Sequence, residues 1–137
     1  MPRLRLPHKS QVRLIAVGWV PVIGVAAVIF VLSAEPSLRF SEDNSVDLVV
    51  RKLGHAGIFG ILALLIWRAL AITTALARSW AWALVLTALY AASDEFYQGF
   101  TVGRHPALTD VGIDTLGAIA FLAVAWIGLR FAGRNRA

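Results

Sequence analysis

Residues 14–34 run for 21 positions without a charged side chain. As a helix, such a run rises about 30 Å, the thickness of a bilayer's hydrocarbon core. The whole chain has only 137 residues, too few to hide that surface from water. Composition agrees: 58% of residues are hydrophobic and 15% charged, against about 25% charged in an ordinary soluble domain. Mean hydropathy is +0.72. A membrane protein is predicted. In lipid every backbone polar group needs an internal partner, which leaves helices or a closed barrel. No segment shows the period-two alternation of a barrel strand, so the expected class is all-α.

Arg3, Arg5, Lys9 and Arg13 precede the first apolar run, with no acid among them. A basic start and an apolar run also describe a signal peptide. This run exceeds the usual core of about 7–15 residues and ends in no A-x-A-like site, which favours a retained helix. Pro21 is expected to kink it, and Glu35-Pro36 to stop it. Residues 35–50, with Glu35, Arg39, Glu42, Asp43 and Asp47, read as a polar connector suited to the interface. The second run follows Arg51-Lys52 and is interrupted by Arg68, which can snorkel beside Trp67. The third starts at Trp80 and is long enough only if it continues through Asp94, Glu95 and Gln98 to about residue 100. The fourth starts at Val111, with Asp114 near its beginning.

The expected architecture is therefore a polytopic, antiparallel bundle of four transmembrane helices, about 14–34, 53–74, 79–100 and 110–131. The membrane domain spans residues 14–131, between basic segments 1–13 and 132–137. The basic N-terminus, the Arg68/Arg78 connector and the arginine-rich C-terminus fall on one side. The positive-inside rule puts both termini in the cytoplasm. The net charge of +5 is thus a topology signal, and no nucleic-acid partner is expected. The chain has no cysteine, which excludes disulfides, thiolate metal sites and cysteine nucleophiles.

This topology brings polar groups from three helices and one loop to one depth. Lys52 and His55 share a helical face at i, i+3. Lys52 reads as an interfacial anchor or an anion ligand. A histidine this deep needs a partner and suits either a structural hydrogen bond or proton transfer. Gly54, Gly57 and Gly60 recur every third residue, a spacing that lets a neighbouring backbone approach. Asp94 and Glu95 point about 100° apart, so one is expected inward, Glu95 together with Gln98. A buried carboxylate needs a cation, and Arg104, Lys52 and His55 are the candidates. Arg104, in the turn before the last helix, suits a lipid phosphate or an internal clamp onto Glu95 or Asp110. His105 reads as a solvated loop residue. Thr109 or Asp110 can cap the last helix, whereas Asp114 lies a turn deeper, where capping does not explain it. A divalent metal on Glu95, Asp110 and Asp114 has no supporting ligand motif. No metal or cofactor is expected.

With these residues in hand, the chain resembles the VanZ-like family of small bacterial membrane proteins. Ser33-Ala34-Glu35-Pro36 is similar to the family's Ser-x-Gln-Pro-like corner, with Glu for Gln. Lys52, His55 and Phe59 match its Lys-x-x-His block and the aromatic that follows. Asp94, Glu95, Gln98, Gly103 and Arg104 match its D-E-x-x-Q-x-x-x-x-G-R hallmark, with Val102 where proline is usual. Asp110, Asp114 and Gly117 match its D-x-x-x-N/D-x-x-G block, with Asp at the second position. The resemblance covers residues 14–130 and implies a multi-pass protein of the bacterial cell membrane. The family's founding member is associated with resistance to the glycopeptide teicoplanin.

Three functions compete. The first is binding, or acting on, an anionic cell-envelope molecule such as a lipid headgroup or lipid-linked precursor. Its ligand residues would be Lys52, Gln98, Arg104, Asp110 and Asp114, with His55 and Glu95 as acid/base candidates. The second is a structural or partner-binding bundle whose polar cluster is one internal network. The third is a proton-coupled transporter, which would need a homo-oligomer to form a pathway, since no polar trail leads inward. Membrane lipid is a partner in all three.

Overall fold

A computed structural model describes residues 8–35, 41–101 and 107–134. Among the described residues, four helices alternate up and down: α1 (His8–Ala34), α2 (Asn44–Thr73), α3 (Ser79–Gln98) and α4 (Leu108–Arg134). No strand occurs among the described residues. By length and composition, α1, α2 and α4 can each cross a membrane. The 20 residues of α3 rise about 30 Å, and Asp94 and Glu95 make it the least apolar of the four.

The second helix is the hub. It packs on the other three, α3 and α4 pack on each other, and α1 leans on α2, brushes α3 and does not meet α4. Phe59, Leu62, Ile66 and Leu70 of α2 meet Ile29 of α1 and Ala83 and Ala91 of α3. Ala63 meets Ala118 and Leu122 of α4. The outer surface is apolar, with Val20, Ile23, Leu53, Leu89, Phe96 and Val124 largely exposed. Lipid is the solvent in which such a surface is stable.

Helix α2 starts at Asn44, well before the expected residue 53. Asp43 caps it, accepting from the N–H groups of Ser45 (2.8 Å) and Val46 (3.2 Å). Asp47 in the first turn pairs with Arg51 one turn on, at 2.9 Å. Half of the supposed connector is therefore helix. The 30 residues of α2 rise about 45 Å, so its polar first turns extend beyond a bilayer core or the helix tilts.

Helix α1 runs unbroken through Pro21. Proline has no N–H to give the carbonyl one turn earlier, that of Val17. Arg68 of α2 supplies the missing donor: its Nη1 donates to the Val17 carbonyl at 3.1 Å. Snorkelling alone therefore understates Arg68. Close by, the Trp19 indole N–H donates to the Thr73 hydroxyl at 3.3 Å.

The close backbone approach comes from α4, not from the α2 glycines as a set. A Cβ on Gly117 would overlap the carbonyl of Ala56, and one on Gly60 would strike the Phe121 ring. Gly54 and Gly57 have no such neighbour within 4 Å.

Up-down topology sorts charge. All eight acidic residues lie at the end where α1 and α3 finish and α2 and α4 start. The opposite end carries Lys9, Arg13, Arg68, Arg78, Arg130 and Arg134 and no Asp or Glu.

Candidate functional site

Along α3, the buried residues Ala83, Thr87, Ala91, Asp94 and Gln98 form one stripe at helical spacing. It is small and nearly apolar until Ala91, then turns polar at the acidic end. There the Ser33 hydroxyl of α1 donates to Asp94 Oδ2 at 2.7 Å. The Gln98 amide donates to the same oxygen at 2.9 Å and reaches the Ser33 hydroxyl at 3.4 Å. Ser33 is 0% exposed, Asp94 5% and Gln98 7%. Asp94 Oδ1 is buried without a hydrogen-bond partner among the described residues.

Glu95 is buried as well, against the expectation that one carboxylate of the pair faces outward. Two different neighbours explain it. Asp94 turns to α1, and Glu95 turns to the start of α4, where Oε1 accepts the Ala107 N–H at 2.5 Å. Ala107 immediately precedes α4, so Glu95 satisfies one of that helix end's free donors from another helix. Thr109 and Asp110, the expected caps, lie inside the first turn instead. Glu95 and Gln98 both face inward as expected, and Gln98 bonds Asp94.

A second group joins α2 to α4. The Lys52 ammonium pairs with Asp110 Oδ1 in a short contact. One turn deeper, His55 Nδ1 stands 3.9 Å from Asp114 Oδ2. That is too long for a hydrogen bond but within attractive range of a protonated ring. The His55 ring also stacks on Phe59, with centroids 6.3 Å apart. Both groups lie at the acidic end of the bundle.

The two groups differ in access. The Lys52 and Asp110 side chains are 34% and 36% exposed and that of His55 is 28% exposed. The Ser33–Asp94–Gln98 group is sealed. Of the seven candidates read from sequence, Lys52, His55, Glu95, Gln98, Asp110 and Asp114 come together at the acidic end. Arg104, and His105 beside it, lie outside the described residues. Asp94 and Ser33 were missed as candidates, although both stand in the blocks that carry the family resemblance. Among the described residues, no three His, Asp or Glu side chains are disposed to hold one metal ion. The chemistry on offer is an ammonium for an anion, an imidazole for proton exchange and carboxylates as acceptors.

No curated protein sequence and no solved structure matches the chain. The VanZ/LLP1 family model matches residues 5–129, nearly the whole chain and every block discussed above, and on that match the chain belongs to the VanZ/LLP1 family.

Proposed function

We propose that this protein is a multi-pass protein of the bacterial cell membrane whose acidic end faces outward. There it binds an anionic cell-envelope molecule, a lipid headgroup or lipid-linked precursor, at the Lys52–His55–Asp110 face, with Arg104 as the second cation. One observation supports the reading: Lys52 keeps about a third of its side chain open, alongside the similarly open Asp110 and His55, while Ser33, Asp94, Glu95, Gln98 and Asp114 at the same end are buried. A phosphate arriving there would share or replace Asp110 as the partner of Lys52, and Arg104 would add bidentate recognition. His55 and Glu95 are the acid/base candidates if the bound molecule is also transformed, and His55 is the more accessible. A contribution to glycopeptide resistance fits this placement.

The test uses purified protein with Lys52→Ala and Arg104→Ala variants, screened against envelope phospholipids and lipid-linked precursors. Each substitution is expected to weaken binding of one anionic lipid by about tenfold, as for loss of one charge-assisted hydrogen bond. Equal binding by all three proteins for every lipid overturns the reading. Teicoplanin susceptibility of cells with and without the protein tests the resistance link.

A second reading applies to part of the site. The Ser33–Asp94–Gln98 group, 0–7% exposed, favours an internal network that fastens α1 to α3. Transport through a single copy is disfavoured, since Phe59, Leu62, Ile66 and Leu122 fill the middle of the bundle.

A further inference from the structure

At the basic end, an open groove of about 390 Å³ runs between α3 and α4, lined by Trp80, Leu84, Ile119, Leu122, Ala123 and Trp126. A second hollow of about 420 Å³ shares Trp126 and continues past Arg130 to Arg134. Ile119, Ala123, Trp126, Arg130 and Arg134 follow one another at steps of three or four, so a single stripe of α4 floors both. The stripe is apolar at mid-depth, aromatic at Trp126 and cationic at the helix end. Its length is about 22 Å, close to that of one lipid acyl chain with its headgroup. The Arg130 guanidinium lies 3.8 Å over the Trp126 ring, which holds it at the mouth of the apolar groove.

Among the described residues, these cations face no Asp or Glu. No Asp or Glu lies at the basic end, because all eight are at the other. We infer that this groove is a binding site for an anionic glycerophospholipid of the leaflet at the basic end. One acyl chain lies between Trp80 and Trp126, and the phosphate sits on Arg130 and Arg134. The groove is reached sideways from the bilayer, and its size falls within the roughly 300–1,000 Å³ of small-molecule sites. Basic pockets beside membrane helices recognise anionic headgroups by the same chemistry. The site is separate from the acidic end and does not depend on what binds there.

Native mass spectrometry of the full chain in detergent tests the inference, with phosphatidylglycerol and phosphatidylcholine of matched acyl chains supplied at equal concentration. The expected result is a one-to-one complex that favours phosphatidylglycerol several-fold. Arg130→Gln with Arg134→Gln should bring phosphatidylglycerol down to the level of phosphatidylcholine. Ala123→Phe, which fills the groove, should weaken both lipids. Arg13→Gln, another cation of the same end, should leave the preference intact. Equal retention of the two lipids by the unaltered protein overturns the inference, as does a preference that survives loss of both arginines. A second copy seated in the groove would also overturn it. That occupant would show as a disulfide-linked dimer of an Ala123→Cys variant in native membranes, in a chain that otherwise lacks cysteine.

Discussion

Asp94 and Glu95 show what a single residue's surroundings add to its position. Adjacent helical residues diverge by about 100°, and from spacing alone one of the two should face out. That argument assumes a single interior direction. The end of α3 has two, because α1 stands on one side and the start of α4 on the other. Helix spacing brought Lys52, His55, Asp110 and Asp114 to one depth correctly, since each needs only its own helix's direction. The Ser33–Asp94 contact joins residues 61 apart and depends on how α1 docks, which no local pattern encodes. If Glu95 serves as a helix-end acceptor, Glu95→Gln keeps a carbonyl for the Ala107 N–H and should cost under about 1 kcal/mol. Glu95→Ala leaves that donor unmatched and should cost about 1–3 kcal/mol. Thermal unfolding in detergent, followed by circular dichroism, checks the order. A Gln variant as unstable as the Ala variant would mean that the negative charge itself is required.

At the scale of elements, the start of α2 was legible but overruled. Asp43 followed by Ser45 and Asp47 has the polar start of a capped helix, yet the density of charge over residues 35–50 suggested a connector. The cap and the Asp47–Arg51 pair explain why charged residues there are helical. Pro21 was legible as a defect, but its remedy was not, because the donor comes from 51 residues away. The remedy makes a coupled prediction. Arg68→Leu should destabilise the protein by about 1–2 kcal/mol, since it strands the Val17 carbonyl in an apolar setting. Pro21→Ala restores the intrahelical N–H, so Arg68→Leu in that background should cost much less. A double-mutant cycle on unfolding temperature measures the difference. Additive effects would mean that Arg68 stabilises by some route other than this carbonyl.

At the scale of the molecule, class and helix order could be read from long apolar runs and short connectors, because lipid demands both. The central place of α2 could not be read, since lipid-facing and interior side chains are alike in composition when lipid is the solvent. Orientation follows from which end crosses the membrane with least difficulty. Lys and Arg, not acids, decide it, so the position of the eight acids does not select it. The cations of the acidic end include Arg51 and Lys52, which are paired with Asp47 and Asp110. Those of the basic end face no Asp or Glu. The basic end should therefore stay in the cytoplasm. Single cysteines read this directly in a chain that has none of its own. Ser45→Cys and Thr109→Cys, exposed at the acidic end, should react with an impermeant maleimide on intact cells. Ala77→Cys, exposed between α2 and α3, should react only after lysis. The reverse pattern would invert the orientation and remove the outward-facing site. Should Thr109→Cys behave like Ala77→Cys while Ser45→Cys stays on the other side, α3 does not cross. The carboxylates of α3 would then no longer share a membrane face with Lys52, and the site would have to be drawn from α2 alone.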